Sequence, residues 1–211
     1  MTNKPAHQSL IAQKADLRRI VLARRDQFAA NVGHAAAAAQ AVAARIISES
    51  ANPNLPLHKL SSAGVVAGYW PIRNELDPRP LLKLLAARGL GLALPVITPS
   101  GMVFRRWRQE QKLVSAGFGT FGPDADQPVV DPDVLLVPLA GFDRRGNRLG
   151  YGQGNYDIAI ARLTAAQKRP MTIGLAFDVQ EIDSLPTEPH DQALDVIITP
   201  MQSISYHQPD A

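Results

Sequence analysis

Residues 134–157 of the chain read VLLVPLAGFDRRGNRLGYGQGNYD. The run 134–139 is continuously apolar, which is typical of a strand buried on both faces of a parallel sheet. Five of the chain's 15 glycines fall within residues 141–154, and residues 155 to about 167 are predicted to form a helix. A strand, a glycine-rich turn and a helix in this order indicate an α/β protein.

Short apolar runs and helical stretches alternate along the rest of the chain. The residues Asp77-Pro78 are expected to open a helix that Gly89 ends, and Ser9 is expected to cap the first helix. Since strands and helices alternate, we predict a largely parallel sheet covered on both sides. No internal repeat is found, so one domain is expected over residues 1–211. The predicted strands are 63–69, 90–97, 102–107, 134–139, 172–177 and 194–199; the predicted helices are 9–30, 34–48, 78–88 and 155–167, and the buried side of the third comprises Leu81, Leu82, Leu84 and Leu85.

Composition limits the classes of protein that the chain can belong to. With 211 residues, 45% of them hydrophobic, it can bury one substantial core. The absence of cysteine excludes disulfides, thiolate zinc sites and a cysteine nucleophile. Polar and charged residues interrupt the stretch 10–21, so we expect neither a signal peptide nor a membrane span, and a cytoplasmic protein. A net charge of +3 fits a nucleic-acid binder or an anionic substrate, but an ordinary basic surface is the better explanation until the charges are placed.

The turn Gly150-Tyr151-Gly152-Gln153-Gly154 precedes the predicted helix and is the strongest candidate for a binding site. Clustered glycines suit a backbone that adopts positive φ or approaches a ligand closely, and the N–H groups at a helix start attract anions. The turn lacks the P-loop pattern, and Asn155 stands where a dinucleotide fingerprint needs a third glycine. A flexible loop without a ligand is the alternative. The charged neighbours that favour a phosphate and a metal ion are Arg144, Arg145, Arg148 and Asp157.

Asp157 and the basic residues of the first helix each allow two interpretations. Asp157 is either a Mg²⁺ ligand beside bound phosphates or an acid that complements the helix dipole. Lys14 and Arg18 share one helix face, with Arg25 a further two turns along, and this is either a solvated basic face or an anion site.

Two loops carry further candidates. Trp70 could stack a heteroaromatic ligand and Glu75 could accept hydrogen bonds from ring N–H groups, although a covering aromatic and a solvated acid are equally plausible. The segment 188–191 (EPHD) either adds to a metal shell or forms a simple turn. No G-x-S-x-G elbow is present, so serine hydrolase chemistry has no support.

Taken together and in order, these segments resemble the 5-formyltetrahydrofolate cyclo-ligase (5,10-methenyltetrahydrofolate synthetase) family. The resemblance spans almost the whole chain, and its most specific part is the glycine-rich block with the strand before it. It implies a three-layer α/β/α sandwich around a mainly parallel sheet. The matching segments are 14–18 (KADLR), 68–75 (GYWPIRNE), 102–107 (MVFRRW), 117–123 (GFGTFGP), 135–143 (LLVPLAGFD), 146–157 (GNRLGYGQGNYD) and 188–191 (EPHD).

The resemblance also implies an activity and residue roles. The expected reaction is the ATP- and Mg²⁺-dependent cyclisation of 5-formyltetrahydrofolate to 5,10-methenyltetrahydrofolate, catalysed by a monomer without nucleic acid or membrane partners. Folate would contact Trp70, Glu75 and residues 151–155, and Mg²⁺ would bind Asp157 and Asp191. Catalytic roles fall on Arg148, Gln153 and Tyr156. The residues expected to contact ATP are Lys14, Arg18, Arg148, Leu149, Gly150, Tyr151, Gly152, Gln153, Gly154, Asn155 and Tyr156.

Two positions depart from the family's usual pattern and leave an alternative open. The family usually carries a basic residue or glycine where this chain has Gln153, and an aromatic residue where it has Asn155. The alternative is a catalytically weakened paralogue that binds nucleotide or folate in a regulatory role. A nucleic-acid-binding module, suggested by the basic charge and the face formed by Lys14 and Arg18, is the second alternative.

Overall fold

The computed structural model describes residues 4–117 and 119–206, without the side chains of residues 4–8, so Phe118 of the segment 117–123 and the far C-terminus lie outside the described residues. Four α-helices, two 3₁₀ helices (Pro56–Ser62 and Asp178–Gln180) and eleven strands are described. The helices are α1 (Lys4–Ala29), α2 (Val32–Ser50), α3 (Arg79–Ala87) and α4 (Asn155–Ala165). The strands are β1 (Val65–Ala67), β2 (Gly91–Thr98), β3 (Gly101–Trp107), β4 (Val114–Ser115), β5 (Phe121–Gly122), β6 (Val134–Pro138), β7 (Gly141–Phe142), β8 (Arg148–Leu149), β9 (Met171–Leu175), β10 (Val196–Ile198) and β11 (Ser203–Ser205).

Seven strands form one mixed sheet in the order β11-β10-β9-β6-β1-β2-β3. The five central strands are parallel, and only the edge strands β3 and β11 run antiparallel to their neighbours. The chain first builds the sheet outward from β1 to β3 and then continues on the other side of β1 with β6. The strand order therefore reverses between β1 and β6, which is where open α/β sheets form their ligand crevices.

Alternate residues of β6 show how the two faces of the sheet are covered. Val134 and Leu136 belong to a core that contains the buried side of α2 and α3. Leu135 and Val137 belong to a second core, which contains Ala159, Ile160 and Leu163 of α4. Helices on both faces make the fold a three-layer α/β/α sandwich, and the predicted fold class is confirmed.

Helix α1 packs against the segments that follow the central strands. Its residue Val21 is buried against Ala140, Leu149 and Leu185, close to the small hairpin formed by β7 and β8. The buried carboxylate of Asp143 fastens this hairpin, because it accepts hydrogen bonds from the backbone N–H groups of residues 145, 147 and 185 at 2.9, 3.2 and 3.0 Å. No described helix combines the length and the hydropathy needed to cross a membrane.

Several local predictions require correction. Helix α1 begins before Ser9, so Ser9 is not its N-cap, because Pro5 is compatible with the first turn of a helix. Leu84 is 41% exposed, since the buried face of α3 follows the 3–4 spacing of Leu81, Leu82 and Leu85. Strand β1 has three residues instead of the predicted seven.

Candidate active site

A cleft of about 370 Å³ opens at the carboxyl ends of the parallel strands, beside the point where the strand order reverses. Segments that follow β1, β2 and β6 meet there because parallel strands end at the same edge of a sheet. Aromatic and apolar groups line one side, and the glycine-rich turn with cationic groups lines the other. The lining residues that bear on function are Arg18, Tyr69, Trp70, Arg73, Glu75, Arg148, Gly150, Tyr151, Gln153, Gly154, Asn155, Tyr156 and Asp157.

The glycine-rich turn has the backbone that its sequence predicts. Gly152 and Gly154 have φ angles of 92° and 65°, a left-handed region that side chains with a Cβ rarely adopt. Gly154 is the N-cap of α4, so the unpaired N–H groups of the first helical turn border the cleft. From α1, Arg18 donates a hydrogen bond through Nε to the carbonyl of Gly150 at 2.7 Å, which fixes the turn's backbone.

Arg148 and Asp157 form an ion pair at the base of the turn. Arg148 Nη2 lies 2.6 Å from Asp157 Oδ1, which also accepts the backbone N–H of Gln192 at 2.9 Å. Arg148 is nearly buried, and its other amino group donates to the Gln192 carbonyl. These contacts attach the start of α4 to the loop that contains Asp191. Among the described residues, no hydrogen bond reaches the second oxygen of Asp157, Oδ2.

Lys14 joins α1 to the loop that contains Asp191. Its ammonium group lies 2.6 Å from Asp191 Oδ2 and 2.9 Å from Glu188 Oε2. Burial disfavours the ammonium charge, but the two carboxylates outweigh burial and raise the pKa of Lys14. Potential metal ligands of Glu188, His190 and Asp191 lie within 4.8 Å of one another, beside this ammonium group. The face that Lys14 shares with Arg18 is therefore directed into the protein, and the interpretation of a solvated basic face is wrong.

The aromatic side of the cleft is formed by the loop after β1. The Trp70 ring is covered by the guanidinium of Arg79 at 5.0 Å and meets Trp107 edge to face at 6.1 Å. Glu75 accepts the backbone N–H of Ile72 at 2.9 Å. Burial raises the pKa of Glu75, and the hydrogen bonds from Ile72 and Tyr151 oppose that rise only in part. The site therefore contains a fixed aromatic ring beside a carboxylate with reduced access to water.

Two tyrosines of the turn region connect the two sides. The Tyr151 hydroxyl accepts a hydrogen bond from Arg25 Nη1 at 2.5 Å and also interacts with the Glu75 carboxylate. Tyr156 lies at the start of α4 and lines the cleft. Burial is the main cause that raises the pKa of both phenols, and the Glu75 charge adds to it. Both tyrosines are therefore neutral hydrogen-bonding groups at physiological pH.

Residues 10–200 match the sequence model of the 5-formyltetrahydrofolate cyclo-ligase family. The chain belongs to this family. The predicted family and its class of enzyme, a ligase, are thereby confirmed.

Individual cyclo-ligases and solved structures of the family are similar to the chain over much of its length. The 5-formyltetrahydrofolate cyclo-ligase of Escherichia coli K12 is 33% identical over 145 residues, which are 65% of this chain and 79% of that protein. The cyclo-ligase of Mycolicibacterium smegmatis is 31% identical over 68% of this chain and 77% of its own length. The solution structure of Aquifex aeolicus 5,10-methenyltetrahydrofolate synthetase matches with a TM-score of 0.72 and 26% identity, covering 94% of this chain and 95% of that one.

The fold brings most of the predicted cyclo-ligase site together. Residues 150, 151 and 153–157 line the cleft with Arg18, Trp70, Glu75 and Arg148. Leu149 is instead a buried core residue, and Lys14 and Asp191 pair with each other and are not among the residues that line the cleft. The expectation that Arg144 and Arg145 lie beside the phosphates is wrong. Arg144 pairs with Glu181 at 2.6 Å, and Arg145 donates a hydrogen bond to Ser184 at 2.5 Å.

Sequence reasoning places Arg25 only on the basic face of the first helix and does not predict its contact with Tyr151 beneath the cleft. The sequence places it seven residues after Arg18, and it is 1% exposed, beneath Tyr151. A signal was available, because positions 18, 21 and 25 follow one helical stripe, on which Val21 predicts burial. A buried arginine is rare without a partner, so its position on that stripe indicates a polar network.

Proposed function

We propose that the chain catalyses the ATP- and Mg²⁺-dependent conversion of 5-formyltetrahydrofolate to 5,10-methenyltetrahydrofolate. The observation that carries the proposal is that one cleft has two chemically different sides. Trp70 and Glu75 stand on one side, and Arg18, Arg148 and the turn 150–154 stand on the other. A reaction between a heteroaromatic substrate and a triphosphate needs both sides in contact.

The aromatic side suits a reduced pterin. Trp70 offers a flat ring, held in place by its contacts with Arg79 and Trp107. Glu75 can accept two hydrogen bonds from neighbouring ring and amino N–H groups, and its partial burial strengthens such bonds. Arg73 also lines the cleft and adds a cation for the carboxylates of a glutamate tail.

The glycine-rich side suits phosphates. The N–H groups at the start of α4 and the guanidinium groups of Arg18 and Arg148 provide donors and positive charge. Gln153 is exposed at the tip of the turn and would donate its amide to a phosphate oxygen. Asn155 and Tyr156 would border the reacting groups from the first turn of α4.

The carboxylates of Asp157 and Asp191 fit Mg²⁺ as hard oxygen donors. Asp157 lines the cleft, and its Oδ2 is directed to no described donor. When bound, Mg²⁺ would neutralise charge on the phosphate oxygens. Asp191 now pairs with the ammonium group of Lys14. It would become a second ligand of Mg²⁺ once Lys14 turns to the nucleotide, because the metal ion would then replace the ammonium group as its cation.

The chemistry follows from the weakness of a formamide as an electrophile. The formyl oxygen attacks the γ-phosphorus of ATP, an O–P bond forms, and ADP leaves. The N10 amine then attacks the activated carbon and loses its proton, the C–O bond breaks, and phosphate departs. Such phosphoryl transfer needs positioning and charge neutralisation and no covalent protein nucleophile. Arg148 and Tyr156 would supply charge and a neutral hydrogen-bond donor at the transferred group.

The test is to mix the purified protein with 5-formyltetrahydrofolate, ATP and Mg²⁺ and follow the near-ultraviolet absorbance of the methenyl product. We expect absorbance that grows with enzyme concentration and stops when ATP or Mg²⁺ is left out. The alternative of a weakened paralogue, suggested by Gln153 and Asn155, predicts binding of both ligands without product. Binding without absorbance growth would replace the enzyme proposal with that alternative.

A further inference from the structure

Arg25 is a charged residue buried beneath the cleft without lining it. Its side chain is 1% exposed, and its guanidinium lies 5.8 Å from the centre of the Tyr151 ring. Its Nε has no hydrogen-bond partner among the described residues, and the nearest carboxylate, that of Asp26, is 3.7 Å away. Burying a guanidinium with so little compensation is costly, which calls for a reason beyond packing.

The one short hydrogen bond described for Arg25 is the bond to Tyr151. Nη1 donates to the Tyr151 hydroxyl at 2.5 Å, so that hydroxyl is left to donate its own proton elsewhere. Tyr151 and Glu75 line the same cleft, and their interaction lowers the pKa of Glu75. The three side chains therefore form a directed chain from α1, through the glycine-rich turn, to the aromatic side of the cleft.

The backbone of the turn is held by a different residue of the same helix. Arg18 binds the Gly150 carbonyl at 2.7 Å, one residue before Tyr151. Because the main chain and the Tyr151 hydroxyl have separate anchors, loss of Arg25 frees the phenol and Glu75 without releasing the backbone that faces the phosphates. The two sides of the cleft should then respond differently to substitutions in α1.

We propose that Arg25 is a positioning residue that orients the Tyr151 hydroxyl towards Glu75 and so holds the Glu75 carboxylate in place for the folate ring. The role rests on the proposed function in so far as folate is the ligand of Glu75. Arg25 thus controls folate binding on the aromatic side of the cleft without touching the substrate. Arg25 acts through Tyr151, and not through the phosphate side.

The first measurement needs no substrate. The Glu75 carboxyl group is titrated by nuclear magnetic resonance in the free protein and in Arg25→Met. The charged or titratable groups that face Glu75 are Arg25, Arg73, Tyr69, Tyr151 and Tyr156. Burial raises the pKa of Glu75 and Arg25 opposes that rise, so the substitution should raise the pKa further. An unchanged titration would overturn the proposal even if the protein had no cyclo-ligase activity.

The second measurement compares steady-state constants for the two substrates. Arg25→Met should raise the KM for 5-formyltetrahydrofolate about tenfold or more, and change the KM for ATP less than about threefold. Tyr151→Phe, which removes only the hydroxyl, should raise the folate KM in the same direction. If Arg25→Met does not fold, Tyr151→Phe alone decides, and an unchanged folate KM and Glu75 titration in that variant would refute the proposal.

Two control variants separate positioning from general loosening. Arg24→Met removes a neighbouring exposed charge of α1, and Val42→Ala weakens the buried face of α2 away from the cleft. Both should keep the wild-type folate KM, and Val42→Ala should still lower the melting temperature. If Val42→Ala raised the folate KM as much as Arg25→Met, the effect would be one of stability, and the proposal would fail.

Discussion

Asp157→Asn offers the sharpest separation of function from stability. The substitution keeps an oxygen in the Oδ1 position, so hydrogen bonds from Arg148 and Gln192, now 2.6 and 2.9 Å, remain possible. It removes the negative charge that faces a guanidinium only 5% exposed. A charge-assisted hydrogen bond is worth about 1 kcal/mol more than a neutral one, so we expect a loss of about 1–2 kcal/mol in the free energy of unfolding.

The expected loss of catalysis is larger than the loss of stability. If Asp157 holds Mg²⁺ beside the transferred phosphate, its charge acts on the transition state. Removing one such electrostatic group costs on the order of 10²–10³-fold in kcat, or about 2.7–4 kcal/mol. The assay combines Mg²⁺ titrations of the absorbance rate with urea unfolding of the same preparations, and the Mg²⁺ concentration for half-maximal rate should rise as well.

Asp195→Asn is the matched control. Asp195 is also 21% exposed and also pairs with an arginine, Arg169, at 2.8 Å. It lies at the amino ends of β9 and β10, opposite the cleft, where it accepts the N–H of Thr172 at 2.7 Å. This variant should lose about 1–2 kcal/mol of stability and keep kcat within about threefold. If both variants lost turnover equally, Asp157 would be only an acid at a helix start, and the metal site would be wrong.

Three further predictions concern other residues of the cleft. Gln153→Lys should lower the KM for ATP about threefold to tenfold at low salt and less at high salt, since it adds a charge at the phosphates; an unchanged KM would contradict the assignment of the turn. Burial raises the folded-state pKa of Glu75, so wild-type stability should fall as pH rises from the ordinary carboxyl pKa through the raised one. Glu75→Gln should remove this pH dependence of the unfolding free energy, measured by urea unfolding. An equal pH dependence in both proteins would show that Glu75 is not buried in solution. Gly154→Ala should lower the unfolding free energy by about 1–2 kcal/mol because of its φ of 65°, although a Cβ there meets no atom within 4 Å. Gly150 lies outside the left-handed region, so Gly150→Ala should lower the unfolding free energy less. Similar losses in the two variants would refute a left-handed backbone at Gly154.

The sequence predicts the helices and strands of the fold well, because their signals are local. The apolar run 134–139 and the glycines after it indicate β6, the turn and α4, and the structure has α4 beginning at the predicted Asn155. Gly89, expected to end the third helix, lies two residues after the last residue of α3, Ala87. Residues 68–75 carry enough signal to suggest an aromatic binding loop, which the structure brings to the cleft.

The partners of charged residues could not be predicted from the sequence. Arg144 and Arg145 stand among the glycines, yet the β7–β8 hairpin directs them to Glu181 and Ser184, 37 and 39 residues away in the chain. Lys14 meets Asp191 across 177 residues. Such pairings depend on how segments distant in the chain pack against one another, which no local periodicity reports. The strand order, with its reversal between β1 and β6, is non-local for the same reason.

The central claim is that residues 150–157 hold a triphosphate with Mg²⁺. A crystal structure with a non-hydrolysable ATP analogue and Mg²⁺ tests it most directly. We predict phosphate oxygens within hydrogen-bonding distance of the N–H groups of residues 152–156, the metal on Asp157, and Lys14 turned from Asp191 towards the nucleotide. A nucleotide bound elsewhere, with the turn empty and Lys14 still paired to Asp191, would contradict the account.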